Sequence, residues 1–300
     1  MLRIGMLTSG GDCQSLNAAM RGVAKALYSA RKDVKIIGFE DGYKGLIYGK
    51  YREMSDSDFS GILTEGGTIL GSSRQPFKLM RVPDENGLDK VKAMKDNYAK
   101  LKLDCLVILG GNGTQKTANL LREEGLNIVS LPKTIDNDLW GTDITFGFQS
   151  AVDVKKLEER NKKGKNFSIL AVAEGAISKE DAALPKKELK KKLAENPYPS
   201  VSYKIGKEIE QRLGQEVRIT VPGHTQRGGS PCPYDRVLST MFGAEAARLI
   251  LNKEFGKMVA MKNNEITSVP LEEIAGKLKT IDPECAIIRD AKVLGIGFGD

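Results

Sequence analysis

Apolar strands that run straight into a pair of glycines, and from there into a helix, dominate the first half of this sequence. Repeated units of this kind predict a parallel sheet with helices on both faces, because the chain must cross back over the sheet before the next strand can begin. The predicted strands are Arg3–Leu7, Val34–Phe39, Leu103–Leu109 and Asn127–Leu131, and the predicted helices run from about Ser15 to Ser29 and up to about Glu124. We therefore expect an α/β fold with a doubly wound sheet.

The second half of the sequence predicts a shorter series of elements. Its predicted strands are Phe167–Glu174 and Glu216–Val221, and its predicted helices are Ser202–Leu213 and Pro233–Leu251. Between them, the polar, lysine-rich stretch Ser178–Pro199 predicts an insertion on the surface.

The charge of the chain leaves two classes of partner open. The net charge is +7 over 300 residues, which suits either nucleic acid or small anionic substrates. Part of the excess lies in a lysine run at residues 186–192, where Leu189 and Leu193 keep the i, i+4 spacing of a helix edge and favour a solvated helix face. One tryptophan and 6% aromatic residues offer little for bases to stack on, so we expect no nucleic-acid partner.

Neither a membrane segment nor an export signal is predicted. The sequence contains no apolar run that approaches the length of a transmembrane helix. Its first residues lack the basic region, apolar core and cleavage site of a signal peptide. The cysteines have no paired spacing, which favours free thiols in a reducing cytoplasm.

Three loops are expected at the carboxyl ends of the predicted strands, where open parallel sheets bind their ligands. They are Ser9–Asp12, Gly110–Thr114 and Lys133–Asp138. Glycines let main-chain N–H groups approach phosphate oxygens, and a helix that begins after such a loop adds partial positive charge. Two glycine loops in consecutive units favour a nucleotide-phosphate site over plain turns, although the sequence has no P-loop motif.

Charged side chains follow two of the predicted strands. Asp136 and Asp138 would point the same way from an extended strand end, so that one could take a hydroxyl proton while the other helps to hold magnesium. An Asx-rich turn is the alternative interpretation. His224 stands between glycines with Arg227 and Arg218 nearby, which suits bidentate phosphate binding, and a surface loop with arginines is the alternative there.

Five motifs that follow one another along the chain carry a family resemblance. They are Thr8–Asp12, Asp41–Tyr43, Gly66–Arg74, Thr134–Asp138 and Gly223–Pro231. Together they resemble the 6-phosphofructokinase family over nearly the whole chain. The resemblance implies two doubly wound, Rossmann-like α/β domains with the active site between them, here residues 1–152 for nucleotide and catalysis and 153–300 for the sugar phosphate. It also implies transfer of the γ-phosphoryl of ATP, with Mg2+, to the 1-hydroxyl of fructose 6-phosphate.

The resemblance also implies a role for each matching residue. Asp136 is the expected base, with Thr134, Asp138 and Lys133 beside the transferring phosphoryl group. The expected nucleotide and phosphate contacts are Gly11, Tyr43, Arg74, Gln75, Gly111, Asn112, Gly113 and Thr114, with Asn112 as the metal ligand. The expected sugar-phosphate contacts are Thr134, Asp136, Glu174, Arg218, His224 and Arg227. In the family, the arginine that matches Arg218 comes from a neighbouring subunit, which implies a homo-oligomer.

Two substitutions in these motifs bear on the metal and on the phosphoryl donor. Asn112 stands where the family carries a magnesium-binding aspartate, and an amide oxygen brings no charge to that ligand position. Gly113 leaves room for an adenine nucleotide and favours ATP, whereas Lys133 is found in pyrophosphate users and can offset phosphoryl charge. A pyrophosphate-dependent enzyme is therefore one alternative. A catalytically impaired nucleotide-binding paralogue is the other, and its main support is the stretch that is absent after Asp153.

A stretch that the family carries is absent after Asp153. The chain continues at once with Val154–Lys165, which resembles a later part of the family's sequence, so roughly two strand–helix units, about 60 residues at about 30 per unit, have no counterpart. We expect the second domain to be incomplete. We also expect weak binding of ATP–magnesium and little affinity for fructose 6-phosphate.

Overall fold

The computed structural model describes residues 1–149, 170–173, 175–213 and 216–294. The chain divides into two compact units, of which one comprises Met1–Glu158 with His224–Asp300 and the other Glu159–Gly223. The sequence predicts a single boundary, at residue 152. Residues His224–Asp300 belong to the first unit, and the described part of this segment supplies three α-helices and two strands.

A seven-stranded mixed sheet forms the centre of the first unit. Its strands in chain order are β1 Leu2–Thr8, β2 Val34–Phe39, β3 Tyr51–Met54, β4 Cys105–Gly110, β5 Ile128–Pro132, β6 Lys257–Lys262 and β7 Glu265–Pro270. The order across the sheet is β3-β2-β1-β4-β5-β6-β7, with parallel pairing from β2 to β6 and antiparallel pairing at both edges. The predicted strands of the first half and the α/β fold class are confirmed.

Helices cover both faces of this sheet. Those of the first unit are α1 Leu16–Ala30, α2 Tyr43–Tyr48, α3 Lys90–Lys100, α4 Asn112–Glu123, α8 Pro233–Leu251, α9 Leu271–Ile274 and α10 Ala286–Val293. Buried side chains of α1 and α8 share one apolar cluster with the sheet, and those of α2, α3, α4 and α9 share the other. The helix after β1 and the helix after β4 therefore lie on opposite faces, which makes the gap between these two strands the switch point of the sheet.

Two glycines let α1 and α8 pack closely against each other. A Cβ on Gly22 would lie 2.8 Å from the carbonyl oxygen of Thr240, and one on Gly243 would lie 2.6 Å from that of Ala19. Both distances are shorter than van der Waals contact to main-chain atoms that cannot swing aside. The close contact fixes the start of α8, and with it the turn that precedes this helix, relative to the loop before α1.

The second unit consists of helices joined by irregular chain among its described residues. They are α5 Lys179–Ala182, α6 Lys186–Ala194 and α7 Val201–Leu213. Helix α6 carries the lysine run, and Leu193 is 51% exposed, so the predicted solvated helix is confirmed.

Two predicted strands of the second half are wrong where the structure describes them. Leu170–Ala173 and residues 216–221 are irregular, and neither segment has a neighbouring strand among the described residues. An apolar, β-branched run forms a strand only where another strand can take up its main-chain hydrogen bonds. The junction Val154–Lys165 lies outside the described residues.

No helix in the described part of the chain is both long and apolar enough to cross a membrane.

Candidate active site

Three loops meet where β1, β4 and β5 end. These strands are neighbours in the sheet and run parallel, so that the register pairs Thr8 with Leu109 and Gly110 with Pro132. The loops continue the pairing beyond the strands, since the Ser9 N–H donates to the Leu109 carbonyl at 2.9 Å. The position of the three loops at the carboxyl ends of their strands was predicted, and their meeting there is a consequence of strand order and common direction.

The loop after β1 is held by residues 66–74. The Gly10 N–H donates to the Ser73 carbonyl at 3.1 Å, and the Ser72 hydroxyl donates to the Gly10 carbonyl at 2.9 Å. Gly10 has a φ of +89°, in the region that favours glycine. These contacts attach the main chain of the glycine loop to Ser72 and Ser73.

Asn17 attaches residues 66–74 to α1. Its side-chain oxygen accepts from the Ile69 N–H at 2.8 Å, and its amide nitrogen lies 3.3 Å from the Glu65 carbonyl. The sequence patterns did not predict a role for this residue. The available signal was a polar residue, buried in the structure, among the apolar positions of an amphipathic helix.

Lys133 lies beneath the glycine loop. It is only 3% exposed, and its amino group donates to the carbonyl oxygen of Gly11. Desolvation lowers the pKa of Lys133, while the nearby Cys13 thiol and Asp12 carboxylate oppose that change. The lysine expected beside the phosphoryl group is therefore bonded to the loop that would hold the phosphates.

The first turn of α4 forms the second part of the site. A Cβ on Gly113 would meet no atom within 4 Å, whereas Thr114 is buried. Tyr43 is buried as well, and its hydroxyl donates to the Thr114 carbonyl at 2.9 Å. Gly111 precedes the helix in extended conformation, with the Lys133 carbonyl 3.3 Å from where its Cβ would lie. Tyr43 thus supports the helix start from below, and Gly113 faces open space.

The segment after β5 is a turn and not an extended strand end. The strand ends at Pro132, and Asn137 has a φ of +52°. The Thr134 hydroxyl accepts from the Asp136 N–H at 3.1 Å and lies 3.2 Å from the carboxylate of Asp136. The assumption that Asp136 and Asp138 project from an extended chain was wrong, because a left-handed residue separates them. The turn nevertheless leaves the Asp136 side chain exposed.

Asp138 is paired with Asn112. The amide nitrogen of Asn112 donates to the carboxylate of Asp138 at 2.8 Å, which joins the loop after β5 to the first residue of α4. The amide can donate to this carboxylate, whereas an aspartate at position 112 would place a second negative charge there. The pair leaves oxygen atoms of both side chains at the edge of the site.

The turn that carries His224 and Arg227 lies against the glycine loop. Residues Gly223–Arg227 form a short 3₁₀ helix, and the Arg227 guanidinium donates to the Asp12 carbonyl at 2.9 Å. A Cβ on Gly11 would approach this guanidinium to 2.8 Å, so the absence of a side chain there makes the contact possible. His224 is exposed. Residues 215 positions apart in the sequence are thus brought together.

The remaining predicted residues are Arg74, Gln75, Arg218 and Glu174. Arg74 is exposed and close enough to Lys133 to influence its charge, and Gln75 follows it half-buried. Arg218, in the second unit, is exposed and pairs with Glu216 at 3.0 Å. Glu174 lies outside the described residues.

Comparison with known proteins identifies the family. The family model described as Phosphofructokinase matches residues 3–156 and again 153–250, so that its two matches meet at the predicted gap. The ATP-dependent 6-phosphofructokinase of Spirochaeta thermophila is 45% identical, with 99% of this chain and 97% of the relative covered. That alignment extends over 360 positions, against the 300 residues of this chain. The ATP-dependent 6-phosphofructokinase 3 of Bacteroides thetaiotaomicron is 38% identical over 99% of this chain and 100% of its own.

Solved structures match the fold. Phosphofructokinase from Pichia pastoris in the T-state superposes with a TM-score of 0.73 at 27% identity, over 91% of this chain and 35% of that one. The chain thus spans about a third of the Pichia protein. A pyrophosphate-dependent phosphofructokinase from Marinobacter aquaeolei gives a TM-score of 0.70 at 16% identity, over 94% of this chain and 86% of its own, and supports the fold alone. With motifs, loop geometry and relatives in agreement, this chain belongs to the phosphofructokinase family.

Proposed function

We propose that the chain transfers the γ-phosphoryl group of ATP to the 1-hydroxyl of fructose 6-phosphate, which gives fructose 1,6-bisphosphate, the phosphofructokinase step of glycolysis in the cytoplasm. The observation that carries this proposal is the meeting of the two glycine loops and the exposed Asp136 turn at neighbouring strand ends, with Arg227 brought onto Gly11. Phosphoryl transfer depends mainly on positioning and charge, and this arrangement supplies both.

ATP is favoured as the donor over pyrophosphate. The space around Gly113 accommodates a nucleotide, and the relatives at 37–45% identity are named ATP-dependent. The presence of a lysine at position 133 was the argument for pyrophosphate as the donor. Its burial and its bond to the Gly11 carbonyl suit a structural role beneath the phosphates, which weakens that argument.

Asp136 acts as the base in this proposal. Its carboxylate is exposed at the tip of the turn, where a substrate hydroxyl can reach it, and Thr134 orients the turn. The base accepts the proton of the 1-hydroxyl as the oxygen attacks the γ-phosphorus, and the bond from the γ-phosphorus to the β,γ-bridging oxygen breaks, with ADP as the leaving group. Main-chain N–H groups of the two glycine loops and the start of α4 would stabilise the phosphate oxygens.

Magnesium would be held by the oxygen atoms of Asp138 and Asn112. Magnesium sites in such enzymes use one or two protein oxygens and take their other ligands from phosphates and water. The Asp138–Asn112 pair would supply those protein oxygens. No cluster of three or more His, Cys, Asp or Glu side chains occurs among the described residues. When bound, the ion would neutralise charge that develops on the phosphoryl oxygens. Asn112 brings no charge, so we expect weak metal affinity.

The sugar phosphate would be held by Arg227 and His224, together with Glu174 and with Arg218 from a neighbouring subunit of a homo-oligomer. The absent stretch removes further contacts, so we expect low affinity for this substrate. We expect a KM for fructose 6-phosphate above the ordinary range of about 1 μM to 1 mM.

The test is a coupled assay with fructose 6-phosphate that compares ATP with pyrophosphate. Turnover with ATP alone is the expected result. Turnover with pyrophosphate alone would overturn the donor. No turnover with either donor, together with measurable ATP binding, would favour the impaired nucleotide-binding paralogue.

A further inference from the structure

Gln14 joins the glycine loop to the turn that carries Arg227. Its side-chain nitrogen donates to the carbonyl of Gln226 at 2.9 Å and to that of Gly228 at 3.0 Å. We propose that Gln14 is a positioning residue, which fixes Arg227 over Gly11 and thereby sets the affinity for the phosphate group of the sugar. The link to the sugar phosphate rests on the proposed function, whereas the anchoring of the turn does not.

The two accepting carbonyls bracket Arg227 in the sequence. Because Gln226 precedes it and Gly228 follows it, one amide group holds the main chain on both sides of the arginine. In the other direction, the Arg227 guanidinium donates a hydrogen bond to the Asp12 carbonyl at 2.9 Å. The two segments are thus bonded in both directions. Within the turn, the Gly228 N–H reaches the Thr225 carbonyl at the long distance of 3.3 Å, so the bonds to Gln14 are the shorter ones.

The burial of Gln14 increases the importance of these bonds. The side chain is 1% exposed, and hydrogen bonds withdrawn from water are stronger and more costly to lose. Its amide oxygen has no hydrogen-bond partner among the described residues. Leaving such an acceptor unpaired costs stability. A glutamine used only to fill space would carry this cost without benefit, whereas an anchor needs its two N–H donors.

The position of Arg227 matters because a guanidinium recognises phosphate through a rigid fork of donors. Arginine has five N–H groups, and the bond to Asp12 leaves others for a ligand. Binding groups must be held within about 0.5 Å and 10–20° of their working geometry. An anchor on both flanking peptide groups supplies that constraint, since Arg227 itself is only partly buried.

Two variants of Gln14 and one matched control test the proposal. Gln14→Ala removes the anchor, and Gln14→Glu keeps the volume while an ionised carboxylate donates no hydrogen bond. The control is Asn97→Ala, because the Asn97 amide also donates to two main-chain carbonyls, of Leu46 at 2.8 Å and Ile47 at 3.2 Å, but joins α2 to α3 instead. Hydrogen–deuterium exchange of peptides that cover residues 223–229 reports on the turn. Equilibrium titrations with fructose 6-phosphate and with ATP report on binding.

We expect both Gln14 variants to exchange faster in the turn and to bind fructose 6-phosphate about 10-fold more weakly, with ATP affinity within 2-fold of the parent protein. Asn97→Ala should change neither the turn nor the sugar affinity. Unchanged exchange in folded Gln14→Glu would overturn the anchoring. Faster exchange with unchanged sugar affinity would overturn the positioning role. A parent protein that binds no fructose 6-phosphate would instead contradict the proposed function, and exchange would still decide the anchoring.

Discussion

The two units of this chain differ most in how they bury their side chains. In the first, strands such as Cys105–Gly110 are buried at every position, and two apolar clusters cover both faces of the sheet. In the second, only Asp181 and Gly206 are buried among the described residues, and neither has an apolar side chain. A unit without buried apolar groups gains little hydrophobic stabilisation. The absent stretch of about two strand–helix units therefore falls next to a unit whose described residues bury no apolar side chain.

The two units also divide the residues that are proposed to bind the sugar phosphate. The loops proposed for the nucleotide and the base belong to the well-packed unit, as does the Arg227 turn proposed for the sugar phosphate. Arg218 belongs to the other unit, where it is 85% exposed and bonded to a neighbouring carboxylate. Chemistry at the phosphoryl group should therefore be better preserved than affinity for the sugar phosphate. Four predictions follow from this contrast between the units.

Asp136→Asn gives the largest expected effect. Loss of the base should lower kcat by about 10³-fold while ATP binding persists, because the glycine loops are untouched. Steady-state kinetics and an ATP titration measure both. The control is Asp96→Asn, on the exposed face of α3, which should leave kcat unchanged. Near-normal turnover of Asp136→Asn would remove this residue from the role of base.

Matched leucine truncations compare the stability of the units directly. Leu106 is fully buried in β4, so Leu106→Ala should lower the free energy of unfolding by about 2–5 kcal/mol. Leu193 is 51% exposed on α6, so Leu193→Ala should change it by less than about 0.5 kcal/mol. Urea unfolding of the two variants measures the difference. Equal losses of unfolding free energy in the two variants would mean that Leu193 is packed more tightly than its exposed fraction indicates.

Gly113→Asp tests the nucleotide site without disturbing the fold. Because no atom lies within 4 Å of a Cβ at this position, the melting temperature should stay the same. The new carboxylate would face the bound phosphates and should raise the KM for ATP about 10-fold, a change of about 1.4 kcal/mol. The uncharged Gly113→Ala is the control. Unchanged ATP kinetics in the aspartate variant would argue against the assigned nucleotide position.

Lys133 gives the smallest expected effect, on the pH dependence of stability. Desolvation lowers the pKa of Lys133 in the folded protein below its ordinary 10.5. Between the lowered pKa and 10.5 the unfolded chain binds more protons, so this residue makes stability rise with pH in that window. Lys133→Met should remove that rise. Denaturant unfolding at a series of alkaline pH values measures this dependence of stability on pH. Parallel stability–pH profiles for the variant and the parent protein would contradict the description of Lys133 as buried and desolvated.

Local pattern was enough to predict the four parallel strands of the first half and the helices α1 and α4, but it did not predict β3, α2 or α3. Val34–Phe39 has the predicted bounds, and the strands that end at the glycine loops differ from prediction by only a few residues. Apolar periodicity and glycine position are properties of neighbouring residues, and a parallel sheet places its strand ends together. The sequence therefore determined that the two glycine loops and Lys133–Asp138 share one edge of the sheet.

Only the tertiary structure decided which distant segments join them. The residues of β6 alone do not indicate which strand they pair with. In the structure β6 pairs with β5, where it extends the sheet and adds its buried apolar side chains to the core. The contacts of Gln14 and Arg227 span more than 200 positions, and no local feature of either segment predicts the other as its partner. Residues 216–221 have the composition of a strand but no neighbouring strand among the described residues. Hydrogen bonds between strands and between loops require two partners, and a local sequence contains only one of them.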